Sequence, residues 1–195
     1  MKYLNPFRYF RRFKFILVKV IFWIGIPITV KTKVDVFIIR FITSSFVEYA
    51  LRAKLSYTRE KVTMEWILNY IKPNDVVYDV GANVGAYSLL IGKILAKDDG
   101  QVFSFEPESS NFYSLNRNVS ANGLDGKVLP YSIAFGDRSR ATTFYLSSTI
   151  PGSAMHGMDK PESDGVSFKS KYQQGVYIVS MDDFCFDPAV KFPNH

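Results

Sequence analysis

The sequence predicts an α/β fold, a parallel sheet with helices on both faces. Three observations point there. Short apolar runs at 76–80, 101–106 and 127–132 alternate with helix-like patterns at 84–97 and 109–123. The first run carries Asp79 and leads into a turn framed by Gly81 and Gly85, in "VVYDVGANVGAYSLL". The second run ends in an acid, Glu106. Strands that alternate with helices need right-handed crossovers and so pair in parallel. Ligands of such sheets bind outside the carboxyl ends of the strands, where the glycine turn and Glu106 both fall.

The elements follow in chain order. Residues 15–30 form an apolar run broken by Lys19 and closed near Pro27, too short for the roughly 20 residues a spanning helix needs. A cleaved signal peptide would want small residues at a cleavage site, and they are missing. Three readings stay open: an amphipathic or buried helix packed on the core or lying in a membrane interface, a short signal-anchor, and a solvated basic tail. Aromatic rings interleaved with Arg and Lys favour the interface. Residues 34–54 read as a strand or a continuing helix. Over 59–71, Val62, Trp66 and Tyr70 form an i, i+4 row flanked by Met64, Ile67 and Ile71, an amphipathic helix that "KPND" terminates. In helix 109–123, Ser109 or Ser110 can cap and Gly123 suits the position just past the end. Strands at 141–148 and 175–184 flank a polar Gly/Ser/Pro-rich stretch, 149–174. The expected division is a basic, apolar extension at 1–57 and a ligand-binding domain at 58–195.

Charge and composition narrow the function classes. The net charge of +6 is concentrated at the N-terminus, where residues 1–40 hold nine Lys/Arg against one acid, Asp35. The remaining chain is nearly neutral, so a nucleic-acid partner, which wants basic charge on the folded core, is not expected. A lone cysteine, Cys185, rules out an internal disulfide framework and a multi-cysteine metal site, and fits a reducing, cytoplasmic compartment. His156 and His195 are too few and too far apart for a metal site, and no metal is expected.

The turn itself carries the chemistry. Gly81 and Gly85 clear side chains so that a ligand can approach backbone. The N-terminus of helix 84–97 favours an anionic group above it. Asp79 offers an acceptor suited to an ammonium. Glu106 can accept hydrogen bonds from both hydroxyls of a ribose. An amino acid joined to a ribonucleoside, S-adenosylmethionine, meets these demands together. A dinucleotide fits less well: the turn reads G-A-N-V-G-A, with Asn83 where a second glycine belongs, and Glu106 lies 25 residues after Gly81 rather than about 20. A Walker loop is excluded by the absence of G-K-[ST]. A non-catalytic cofactor-binding or membrane-associated module and a nicotinamide-dependent oxidoreductase remain as alternatives.

"DVGANVGAYSLL", "FSFEPESSNFYSLNRNVSANGL", "YSIAFGD" and "VSMDDFC" together resemble the FkbM family of class I S-adenosylmethionine-dependent methyltransferases, over roughly residues 58–195. The resemblance implies a Rossmann-like sheet and O-methylation, often of hydroxyls in sugars, glycans or natural products. It implies that Asp79, Gly81, Asn83 and Gly85 cradle the methionine end and that Glu106 holds the ribose. It also implies that Pro107 and the "SIAFG" segment near Ala134 border the adenine. In the family a fourth strand with an acidic tip follows "FPNH" beside the first, so this chain is expected to be the front portion of such an enzyme, with the first strand left as an open apolar edge. A base for the acceptor hydroxyl is not identified; Asp182 and Asp183 read as a cap or turn, and His156 lies in the polar stretch 149–174, a candidate acceptor lid.

Overall fold

In the computed structural model, residues 6–195 are described, with side chains from Lys14 onward. Lys2 and the side chains of Arg8, Arg11 and Arg12, which contribute to the basic cluster, lie outside what is described. The apolar run at 15–30 is split in two. Helix α1 (Pro6–Trp23) ends before Gly25, at φ +78°, and strand β1 (Ile28–Val34) begins after Pro27. β1 pairs antiparallel with β2 (Phe37–Thr43) through a tight turn with Asp35 at φ +50°. The alternation that reads weakly in the sequence is clear in burial: Val30, Val34, Ile39 and Phe41 face inward, Lys31 and Lys33 outward. A single π-helical turn, Glu48–Arg52, runs into α2 (Ala53–Arg59), and α3 (Lys61–Tyr70) follows. In α3 the expected row is reversed. Val62 and Tyr70 are exposed and Trp66 is at the boundary, while the flanking Met64 and Ile67, with Ile71 just past the helix, are buried. Either stripe satisfies helical spacing, and only the neighbouring core decides between them.

The central sheet is three-stranded and parallel, in the order β3 (Val76–Val80), β4 (Gln101–Phe105), β5 (Val128–Tyr131). α4 (Ala86–Ile94) and α5 (Ser109–Ala121) are its crossovers. Helix α4 is shorter than the expected 84–97, because 95–97 turn away before Gly100. On one face, Val77, Val102 and Val128 share a core with Leu89, Leu90, Leu115, Val119 and the β1–β2 hairpin. Gly92 lets α4 approach the sheet closely; a Cβ there would stand 2.6 Å from Val128. On the other face, Phe103, Phe105 and Tyr131 pack around Phe184 of the short α6 (Met181–Cys185). β6 (Ala134–Gly136), β7 (Arg140–Leu146), β8 (Gly157–Met158) and β11 (Tyr172–Ser180) make a second, mixed sheet in the order β6-β11-β7-β8, and β9 (Glu162–Ser163) with β10 (Val166–Ser167) forms a small hairpin.

Two long-range devices bind the parts together. Asn118 in the last turn of α5 and Asn122 at its C-terminal cap complete the outer edge of β2. Asn118 Oδ1 accepts from the Ile42 N–H at 2.8 Å, Asn122 Oδ1 accepts from the Arg40 N–H at 2.9 Å, and Asn122 Nδ2 donates to the Arg40 carbonyl at 2.7 Å. Asn118 opens the sequon-like "NVS" and is 1% exposed, so that tripeptide is structural. At the far side of the sheet, the last residues cover the inner half of the edge of β3. The His195 N–H donates to Val76 O at 3.3 Å and the Tyr78 N–H to His195 O at 2.9 Å, a parallel bridge, and the Asn194 side chain accepts from the Val76 N–H at 2.8 Å. Val80, at the other end of β3, stays exposed, so the edge expected to be open is open over its carboxyl half only. The division expected between residues 57 and 58 falls inside α2, whose Ala53 and Tyr57 share the main core with the sheet.

Candidate functional site

The glycine turn, 81–85, is pinned to the end of β4. The N–H groups of Gly81 and Ala82 both donate to the Phe105 carbonyl at 2.9 Å. Gly81 at φ +80°, Asn83 at φ +53° and Gly85 at φ +87° take the left-handed conformations that let the chain double back. At Gly85 a side chain is barred twice, by φ and by Leu115, whose Cδ1 would lie 2.5 Å from a Cβ. At Gly81 nothing lies within 4 Å of that position, so the space above it is open.

Asp79 and Glu106 do different work. Asp79 pairs with Ser104 in the ladder and projects to the same face as Val77, toward α4. There its Oδ2 accepts the Ser88 N–H at 3.1 Å and the Ser88 hydroxyl, and Ser104 Oγ donates to Ser88 Oγ at 2.8 Å. Ser88 is the third residue of α4, and Gly85 before that helix has no side chain, so Asp79 supplies the missing N-cap from the neighbouring strand. Burial raises its pKa and the two Ser88 hydrogen bonds oppose the rise. The expected role of Asp79, facing a ligand's ammonium, is therefore replaced for Oδ2 by holding the helix.

Glu106 stands one residue beyond the β4 ladder and turns over the loop. It is 5% exposed. Its Oε2 accepts the Asn83 N–H at 2.8 Å and its Oε1 the Glu108 N–H at 2.9 Å. Burial pushes its pKa up to about 7, against the lowering effect of those two amides and with a further push from the Glu108 carboxylate. The Asn111 side chain also donates toward this carboxylate, so of its four acceptor sites three are engaged and one remains for a ligand. Glu108, rather than Ser109 or Ser110, caps α5, accepting from the N–H groups of Ser110 and Asn111. A longer acid one position earlier reaches both amides.

Residues 150–156 form a strap across the turn. The Ser153 carbonyl accepts from Asn83 Nδ2 at 2.7 Å and Asn111 Nδ2 at 3.1 Å. The Gly152 N–H donates to Asn111 Oδ1, and its carbonyl accepts from Arg52 Nε, both at 2.7 Å. Ser45 Oγ donates to the Pro151 carbonyl at 2.6 Å. Two cavities flank this crossing and share Gly81 and Asn83. One, about 300 Å³, is lined by Arg52, Arg59, Glu60 and Tyr87. The other, about 210 Å³, is lined by Glu106, Pro107, Asn111 and His156.

Of the residues expected from sequence, Gly81, Asn83, Glu106 and Pro107 meet at this crossing. Gly85 and Asp79 lie beneath it, shaping the turn and α4. Ala134 does not reach it: in β6 it pairs with Ile178 and sits in the core of the second sheet. His156 accepts the Ser147 N–H on Nδ1 at 3.2 Å, and burial lowers its pKa. Asp183 accepts from Ser139 Oγ, and its N–H donates to Ser180 Oγ, as a helix start. Cys185 is half-buried in an outer groove with Tyr78, and His195 pairs with Asp75 at 3.1 Å beside Trp66. Sequence reasoning missed Arg52, Arg59 and Tyr87. The available signal was the i, i+7 spacing of the two arginines on one helical face.

No family model matches the chain. A curated relative, the 31-O-demethyl-FK506 methyltransferase FkbM of Streptomyces tacrolimicus, is 32% identical over 80 residues, which is 41% of this chain and 30% of that protein. The chain thus spans less than a third of the relative it matches. Among solved structures, TYW2 of P. horikoshii in complex with MeSAdo is 17% identical with a TM-score of 0.37, over 54% of this chain and 36% of that one. The complex of aTrm5 with tRNALeu gives 19% and 0.37, over 53% and 27%. The likeness to FkbM methyltransferases read from the motifs therefore has a counterpart in a curated protein.

Proposed function

We propose that the chain is the cofactor-binding part of a class I S-adenosylmethionine-dependent methyltransferase of FkbM type, acting in the cytoplasm on a hydroxyl of a sugar, glycan or natural product. The observation that carries the reading is the buried Glu106 carboxylate, hydrogen-bonded to the amide of Asn83 in the glycine turn and lining a cavity beside it. Domain and site assignments follow. Residues 58–195 supply the sheet and turn, and the π-helical turn at Glu48–Arg52 and α2 complete the first cavity.

The donor set suits the cofactor. Glu106 keeps an acceptor position for a ribose hydroxyl, beside Pro107. Arg52, Arg59 and the first-turn amides of α4 at Ala86 and Tyr87 gather positive potential on the other side of Asn83, where an amino acid's carboxylate would rest. The first cavity reaches the lower end of the size range of ordinary ligand sites, and the second shares Gly81 and Asn83 with it.

S-Adenosylmethionine, when bound, supplies an electrophilic methyl on its sulfonium. The protein's contribution is alignment and exclusion of water: Gly81 opens the floor, Asn83 and Glu106 fix the nucleoside, and Arg52 and Arg59 fix the carboxylate. Orientation of this kind accounts for roughly 7–11 kcal/mol of a barrier. Calorimetry with S-adenosylmethionine, S-adenosylhomocysteine and NAD tests the reading. Binding of the first two and not of NAD is expected; binding of NAD alone would overturn it. Methyl transfer to a panel of glycans and polyketides tests the acceptor class.

A further inference from the structure

Helix α1 has two apolar faces and only one of them is used. Phe15, Val18, Lys19 and Phe22 form the seam to the body. Phe15 packs on Phe46 with ring centroids 5.4 Å apart, Phe22 on Tyr49 at 6.1 Å, and Lys19 Nζ stands 5.3 Å over the Phe46 ring. A second stripe, Ile16, Leu17, Val20, Trp23 and Ile24, follows i, i+1, i+4, i+7, i+8 and points away from the protein. All five are exposed, Ile16 at 62% and Trp23 at 86%. Globular proteins do not leave such a stripe to water without a partner.

We propose that this stripe docks the protein on the surface of an anionic lipid bilayer, with α1 lying in the plane of the interface. The occupant is chosen by charge. Residues 1–23 carry six Lys/Arg and no acid, while the chain beyond residue 40 is slightly acidic, so the charge of the α1 segment is complementary to anionic headgroups. Among the described residues no helix is long and apolar enough to cross a membrane, which leaves the interfacial orientation. Trp23 stands at the helix end, and tryptophan prefers the headgroup depth. α1 rests on Phe46 and Tyr49, and Arg52, one helical turn further on, lines the cavity above the glycine turn. Docking would hold that cavity close to the bilayer. The inference does not depend on which cofactor the cavity takes.

The test is co-sedimentation of the full chain with vesicles of phosphatidylcholine, with and without phosphatidylserine, alongside tryptophan fluorescence in a Trp66→Phe background that isolates Trp23. Binding to the phosphatidylserine vesicles with a blue shift of Trp23 is expected, weakened by salt but not abolished. The triple variant Leu17→Ser, Val20→Ser, Trp23→Ser should lose about tenfold or more of that binding while its melting temperature and S-adenosylhomocysteine affinity stay unchanged, because the stripe is exposed and lines neither cavity at the glycine turn. Failure of the parent chain to sediment with anionic vesicles would overturn the proposal. So would vesicle binding that survives in the folded triple variant, or an oligomer in solution that the triple variant dissolves while neither protein binds lipid.

Discussion

Asp79 and Glu106 sit two ladder steps apart at neighbouring strand ends, both partly or wholly withdrawn from water, both with pKa values raised by burial. They nevertheless belong to different parts of the machine. Asp79 lies within the ladder, so strand parity turns it into the sheet–helix interface, where it caps α4 through Ser88. Glu106 lies beyond the ladder, free of that parity, and leans over the glycine turn into a cavity. A carboxylate at the tip of a strand is available to a ligand only when its position past the last ladder pair allows it to leave the sheet face. The first acid holds the cup together; the second forms its lining.

That contrast breaks if the two residues respond alike to truncation. Asp79→Ala should cost about 2–3 kcal/mol of stability in urea unfolding, since it orphans the Ser88 amide and hydroxyl at once. Asp79→Asn, which keeps an acceptor there, should recover most of the loss. Glu106→Ala should weaken S-adenosylhomocysteine binding by about 1.5–3 kcal/mol in calorimetry, with the charge-assisted hydrogen bonds gone. A Glu106 variant that unfolds readily yet binds normally would exchange the two roles.

Stability against pH sharpens the same contrast. Glu106 titrates near 7 when folded against 4.5 as an ordinary glutamate, so the folded protein holds the proton more tightly between those values. Its contribution to stability is therefore complete below pH 4.5 and lost as pH rises through 7. Glu106→Gln should flatten that part of the melting-temperature profile. The smallest expected effect is at Tyr57→Phe, which removes the hydroxyl that donates to the Ala86 carbonyl at 2.7 Å and should cost about 1 kcal/mol, with little change in ligand affinity.

Local signals made the central βαβαβ unit legible. Val76–Val80, Gln101–Phe105, Val128–Tyr131 and the two intervening helices are set by periodicity and by glycine, and they appear where the residues say, with α4 shorter than expected. Gly81, Asn83, Glu106 and Pro107 were legible for the same reason, being adjacent to strand ends. What could not be read depended on distant partners. The run 15–30 is apolar all round, so it carries no period to separate α1 from β1; the Asn118 and Asn122 amides that secure the hairpin lie some 80 positions away. The buried stripe of α3 was chosen by its neighbours. Arg52 and the strap at 150–156 join the glycine turn through contacts spanning 70 to 100 positions. Ala134 was placed near the site by resemblance, and its strand pairing carries it elsewhere.

The most direct measurement is the affinity of the intact chain for S-adenosylhomocysteine by calorimetry between pH 5.5 and 8.5, beside Glu106→Gln. Ribose hydroxyls donate to the ionised carboxylate, so binding should strengthen by up to about tenfold per unit as pH rises toward about 7 and level off above it, and the variant should bind weakly with no such slope. Tight binding that is independent of pH and unchanged in Glu106→Gln would contradict the account.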